Sequence, residues 1–280
     1  MVAYRYDGSF DGFLCCVFES YVRREVPVQI LPEEEAQVSL YPEKWIGTDP
    51  DRAERVYTSL SRKISPEARE LVETGFLTCL PERERLLYRF IRMGYQHGAQ
   101  VTSWLADDTV STLRKAAFSA GHEAHLLTGF LRFSEQNGTL AAIITPKNRV
   151  LPLILEHFSS RFNAETFLIY DKTHHMALVH RPGQDAIIPM EHFSLEEPDE
   201  TERQFCALWK QFYHTIGIEG RYNPKCRMTH MPKRYWANMT EFQPPSYFTP
   251  RSSPAAVSGP GAPTGIPRSE EHTSELQSRC

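Results

Sequence analysis

The spacing of apolar residues changes midway along this 280-residue chain, and that change limits the fold more than any other feature. Large side chains recur at helical spacing in several segments, namely from residue 10, at 50–63, 66–78, 82–97, 108–128 and 150–162, and again from about 199. Short apolar runs at 3–6, 139–145, 167–170, 176–180 and 186–189 predict strands instead. Helices outnumber strands, and the strands cluster in hairpins rather than alternating with helices. The pattern predicts an α+β fold, a helix-rich single domain with a small antiparallel sheet.

Composition excludes several classes of protein. Hydrophobic residues make up 41% of the chain and charged residues 24%, which excludes wholesale disorder. No apolar run approaches the 18 residues that a membrane span needs, and the N-terminus lacks the features of a secretory signal. None of the six cysteines forms a C-x-x-C pair, which argues against a zinc ribbon, an iron–sulfur cluster or a redox dithiol. We therefore expect a reduced, cytoplasmic protein.

The composition shifts abruptly at Gln243, where a stretch rich in Pro, Ser, Gly and Ala begins. Such a stretch buries too little apolar surface to offset its ordering entropy, so the sequence predicts a folded domain at 1–242 and a disordered tail at 243–280. Residues 268–278 match the in-frame translation of a common sequencing-library adapter. We expect this part to be an artefact and the natural C-terminus to be missing.

Positive charge is concentrated near the end of the folded part. Residues 203–241 carry seven Lys and Arg against two acids, whereas residues 1–202 carry 21 against 30. Within the basic segment, defined here as residues 221–236, cations alternate with aromatic rings; its candidate nucleic-acid contacts are Arg221, Lys225, Arg227, Lys233, Arg234, Tyr235 and Trp236. Cations neutralise phosphates, and exposed rings stack on unpaired bases. The alternative is that Tyr235 and Trp236 are buried anchors and the charges are merely solvated.

A weaker signal comes from histidines near carboxylates. Glu123, His125, His157 and Asp171 are candidates for acid–base or metal chemistry, although all of them could equally be hydrogen-bonding or surface residues. The chain contains no Gly-rich phosphate loop, nucleophile elbow or H-E-x-x-H motif. No metal-ligand spacing is recognisable either. We therefore expect no bound metal and no cofactor, and the residues leave open whether the protein is an enzyme.

The F-L-R-F run at 130–133 places an arginine among bulky apolar residues. Arg132 either pairs with a carboxylate such as Glu123 or forms an anion-binding fork. The flanking Phe130 and Phe133 are expected to be buried, together with Phe158 and Phe162 of the following helix.

Five motifs together carry a family resemblance. They are YDGSFDGFL (6–14), EAHLLTGFLRF (123–133), EHFSSRF (156–162), LIYDKTHH (168–175) and RYNPKCRMTHMPKRYW (221–236). With this ordered series, over about residues 2–242, the chain resembles a bacterial family of DNA metabolism and DNA repair proteins defined by a domain of unknown function. Genes of that family lie beside a radical-SAM protein of DNA modification or repair. The same module also occurs fused to uracil-DNA-glycosylase-type domains.

The resemblance implies a DNA metabolism or repair accessory protein that acts with a radical-SAM partner and contacts DNA. It carries over no catalytic residues, because none is established for the family. Two other functions stay open from the residues: a metal-assisted nuclease or hydrolase using the four acid–base candidates, and a pure protein-binding scaffold.

Overall fold

The computed structural model describes residues 1–33 and 39–243, and it confirms the α+β class. The described residues form eight α-helices: α1 (Phe10–Arg23), α2 (Pro50–Lys63), α3 (Pro66–Phe76), α4 (Arg83–His97), α5 (Asp108–Phe130), α6 (Leu151–Arg161), α7 (Glu200–Thr215) and α8 (Pro224–His230). They also form eight strands: β1 (Ala3–Tyr6), β2 (Gln29–Pro32), β3 (Glu43–Trp45), β4 (Ser134–Gln136), β5 (Thr139–Ile144), β6 (Phe167–Asp171), β7 (Met176–Arg181) and β8 (Gln184–Pro189). The predicted tail lies outside the described residues, apart from Gln243.

The helices begin where the sequence supplies caps. The side chains of Ser9, Asp49, Ser65 and Asp107 accept hydrogen bonds from the first free N–H groups of α1, α2, α3 and α5. Proline follows the cap in α2 and α3, where its missing N–H costs nothing. These local signals explain why the predicted starts at residues 50, 66 and 108 agree with the structure.

The strands form two sheets rather than the small antiparallel sheet expected from the sequence. β2, β1 and β3 pair in that order, and both pairs are parallel. The second sheet has the order β4-β5-β6-β7-β8 and is mixed, because β5 and β6 are parallel while its other pairs are antiparallel. The antiparallel expectation was wrong for β5 and β6 because α6 lies between them, and a helical crossover returns the chain in the same direction.

Two hydrophobic cores support these sheets. The first packs the three-stranded sheet against α1 to α5 and includes Phe13, Leu87 and Phe90. The second packs the five-stranded sheet against the end of α5 and against α6, and it includes Ile154, Phe158 and Phe167.

The expected phenylalanine core is present but less enclosed than predicted. Phe133 contacts Phe158, Phe162 and Phe167, with ring centroids 5.2–5.7 Å apart. Phe158 is buried, whereas Phe130, Phe133 and Phe162 are only partly buried. The reason is that Phe133 lies just beyond the end of α5, at the edge of the sheet. Among the described residues, no helix has both the length and the apolar character needed to cross a membrane.

Candidate functional site

Glu123 connects two candidate sites that appear separate in the sequence, namely the acid–base candidates and the basic segment. Its buried carboxylate accepts hydrogen bonds from the backbone N–H groups of Lys147 and Asn148, at 3.0 and 2.9 Å, and from the Asn148 amide at 2.7 Å. The Tyr235 hydroxyl donates to the same carboxylate at 3.2 Å, and the Arg234 guanidinium lies 3.0 Å from it. Glu123 therefore ties the basic segment to the loop that precedes α6.

Tyr235 is an anchor within this contact. It is buried in the second core and packs against Phe130, with ring centroids 5.6 Å apart. Burial raises the pKa of its hydroxyl, so the group stays neutral and serves as a hydrogen-bond donor. The Arg234 guanidinium also hydrogen-bonds to this hydroxyl. The geometry gives Tyr235 and Arg234 structural partners within the chain.

A second ion pair fixes the end of the described chain. Arg132 donates two hydrogen bonds to Glu241, at 3.2 and 2.8 Å, and the Trp209 ring nitrogen donates to the same carboxylate at 3.1 Å. The Arg132 guanidinium also lies 5.1 Å from the centre of the Trp209 ring. The carboxylate expected to pair with Arg132 is thus Glu241 rather than Glu123, whose cationic partner is Arg234.

This second ion pair should depend on pH. Burial alone would raise the pKa of Glu241, but the hydrogen bonds from Arg132 and Trp209 outweigh it and hold the pKa below its ordinary value of 4.5. Because the folded-state pKa is depressed, the stabilisation is complete above about pH 4.5 and is lost as the pH falls through the folded-state value. We expect the difference in unfolding free energy between the wild type and Glu241→Gln to shrink below pH 4.5. A difference that stays constant from pH 7 to pH 3 would contradict this assignment.

Arg227 and Trp236 form a stacked cluster with Phe242. The Trp236 and Phe242 rings stack with centroids 4.4 Å apart and an interplanar angle of 13°. The Trp236 ring nitrogen donates to the Met231 carbonyl at 3.0 Å. The Arg227 guanidinium lies 5.0 Å from the centre of the Trp236 ring and 5.5 Å from that of Phe242. One face of Trp236 is therefore already occupied by a ring of the same chain.

The remaining cations of the basic segment point to solvent. Arg221 lies in a short 3-10 turn, Lys225 in the first turn of α8, and Lys233 in the turn that follows α8. All three are exposed. Tyr222, which the sequence did not single out as a contact, is 62% exposed and lies next to Arg221. These four side chains are exposed, and two of them also contact other residues of the segment: the Arg227 guanidinium lies 5.8 Å from the centre of the Tyr222 ring, and Lys233 Nζ lies 5.8 Å from that of Trp236.

The structure does not bring the four acid–base candidates together. His125 and His157 are exposed on α5 and α6, while Glu123 is buried in the contact described above. Asp171 lines a separate cavity, and its partner is His174, whose Nδ1 lies 2.7 Å from the carboxylate. The described part of the chain has no group of three or more His, Cys, Asp or Glu side chains suited to hold a metal ion. His174 belongs to the LIYDKTHH motif, but the sequence offers no reason to prefer it to the neighbouring His175.

A second cationic surface lies along α4. Arg85, Arg89 and Arg92, spaced at i, i+4 and i+7, line a groove of about 770 Å³ together with Tyr88. Arg85 is paired with Glu82 at 3.0 Å, and Arg92 contacts the Tyr88 hydroxyl at 3.4 Å. Because this groove is also lined by cations, any binding experiment on the basic segment needs a control variant in it.

A model of the family described as a domain of unknown function, DUF4130, matches residues 81–241. The match covers more than half of the 280 residues, so the chain belongs to this family. It extends from the residues just before α4 to Glu241, and thus includes the basic segment and both ion pairs that anchor the C-terminal region. No curated protein and no solved structure matches the chain.

Proposed function

We propose that this protein is an accessory factor of DNA metabolism or repair that contacts nucleic acid through the basic segment. The observation that carries the proposal is that some residues of that segment hold it in place while others stay exposed to solvent. Tyr235 and Arg234 attach the segment to Glu123, and Trp236 packs against the second core, while Arg221, Lys225, Lys233 and Tyr222 are exposed. Exposed cations beside an exposed ring suit a phosphate backbone with unpaired bases.

The charge distribution also favours this surface. The chain carries a formal net charge of -4, and its first 202 residues have an excess of acids. A polyanion is repelled by such a body, so its approach is directed to the cationic segment. The resemblance to DNA metabolism and repair proteins points to the same class of ligand.

We further propose a radical-SAM protein as the partner, on the strength of that resemblance. Exposed apolar residues on the outer face of α7 also favour a protein partner. Phe205, Leu208 and Phe212 recur along it at helical spacing, Ile216 follows directly after the helix, and all four are exposed. An exposed row of large apolar side chains is typical of a protein contact.

Removing the three exposed cations should weaken DNA binding in a salt-dependent way. In the triple variant Arg221→Gln, Lys225→Gln, Lys233→Gln, we expect the slope of log affinity against log salt to fall by about three units, one for each lost phosphate contact. Tyr222→Ala should weaken single-stranded binding by roughly 1–3 kcal/mol without changing that slope, because stacking involves no counterion. The measurement is a salt titration of fluorescent single- and double-stranded oligonucleotides, with and without the radical-SAM partner.

Two controls separate the possible outcomes. Lys115→Gln removes an exposed cation of α5 and should leave both affinity and slope unchanged. Arg89→Gln tests the α4 groove, and a loss of binding there alone would move the contact away from the basic segment. Binding that is undetectable at low salt, with and without the partner, would overturn the proposal.

A further inference from the structure

A cavity of about 210 Å³ lies at the ends of β1, β2 and β6, beside the start of α6. Its walls are largely apolar and include Leu77, Leu151, Pro152 and Ile187. Four polar side chains also line it, namely Asp7, Arg149, Asp171 and His174. An apolar cavity with a few convergent polar groups is the usual form of a small-ligand site. None of the lining residues belongs to the basic segment, so a ligand site in this cavity goes beyond the proposed function and does not depend on it.

Asp171 and His174 form an oriented pair on one wall. The buried Asp171 carboxylate accepts hydrogen bonds from the backbone N–H groups of Thr173 and His174, at 2.9 and 3.2 Å, and these bonds fix its position. Its other oxygen lies 2.7 Å from His174 Nδ1. Because a carboxylate can only accept, Nδ1 carries the proton, and in the neutral imidazole Nε2 is an acceptor. The His174 side chain is 17% exposed, so a ligand can reach it through the cavity.

Asp7 is fixed on another wall of the same cavity. Its carboxylate accepts hydrogen bonds from the Ser9 N–H at 3.0 Å, the Ser9 hydroxyl at 2.7 Å and the Thr48 hydroxyl at 2.7 Å. Burial alone would raise the pKa of Asp7, but these hydrogen bonds outweigh it and lower the pKa. Gly12 makes room for this arrangement, since a Cβ at that position would lie 2.2 Å from Asp7 Oδ1. The carboxylate is thus ionised and held in place.

The size and charge of the cavity restrict its ligand. A volume of 210 Å³ equals that of about seven water molecules, which admits a single small ring system. Two carboxylates and one guanidinium disfavour a purely anionic ligand. A neutral ring suits the site better, with N–H donors for Asp7 and for His174 Nε2 and flat faces for the apolar walls. We propose that the cavity binds a planar heterocycle of the nucleobase class.

Chemical modification of His174 tests this proposal on the full chain. Diethyl pyrocarbonate reacts with accessible imidazoles, and mass spectrometry reads the rate at each histidine. The probes are the free bases uracil, cytosine, adenine and guanine, and a mixed-sequence single-stranded oligonucleotide. A base present at about ten times its dissociation constant should slow the reaction at His174 about tenfold. The reaction at His157, which is exposed on α6, should be unchanged.

A matched pair of variants tests whether the ligand binds in the cavity. Ile187 lines the cavity, whereas Ile188, the next residue of β8, points to the opposite face of the sheet and is exposed. Ile187→Trp should abolish protection of His174, and Ile188→Trp should preserve it, with thermal melts confirming that both variants fold. Protection by a free base, or by the oligonucleotide alone, supports the proposal and distinguishes a free base from one within a strand. If no probe protects His174, or if both variants lose protection equally, the proposal is wrong.

Discussion

Glu123→Ala should lower the unfolding free energy by about 3–5 kcal/mol, because it leaves several buried hydrogen-bond donors without their acceptor. The substitution removes the acceptor for two backbone N–H groups, at Lys147 and Asn148, and for the Tyr235 hydroxyl. Each buried donor left without a partner is destabilising by about 1–3 kcal/mol. Denaturant unfolding monitored by circular dichroism measures the change.

Glu156→Ala is the control for this prediction. Glu156 is an exposed glutamate of α6, and its removal should change the unfolding free energy by less than about 0.5 kcal/mol. We also expect Glu123→Ala to expose the segment after α8 to limited proteolysis, because both Arg234 and Tyr235 lose their shared acceptor. A folded Glu123→Ala protein with wild-type stability would remove Glu123 from the structural role assigned above.

Much of the fold could be predicted because its signals are local. Caps and proline fix the start of α2 at residue 50, and apolar spacing fixes its end at Lys63. The hairpin of β6 and β7 follows from two short apolar runs around a turn. The pairing of β1 with β2 and β3 could not be predicted, since it joins short strands across irregular chain. Their spacing along the sequence carries no information about register.

The same limit applies to the candidate sites, because the sequence gives the residue types but not which side chains contact each other. Residue types indicated that Glu123 and the basic segment were chemically important, but not that they contact each other across more than a hundred residues. A carboxylate that is exposed to solvent and one that pairs with an arginine cannot be distinguished in the sequence. Asp7 and His174 line one cavity although their motifs are far apart in the sequence, because only the tertiary packing brings those motifs together.

Phe158→Ala should be the second strongly destabilising substitution, at about 3–5 kcal/mol. Phe158 is buried in the second core and contacts Phe133 and Phe162, with ring centroids 5.7 and 6.4 Å away. Truncation leaves a cavity among rings that belong to different elements and cannot easily close around it. Phe118→Ala is the matched control, because Phe118 is 78% exposed on α5 and should change the unfolding free energy by less than about 0.5 kcal/mol. Urea denaturation of both variants measures the contrast, and equal losses would mean that the aromatic cluster is not the centre of this core.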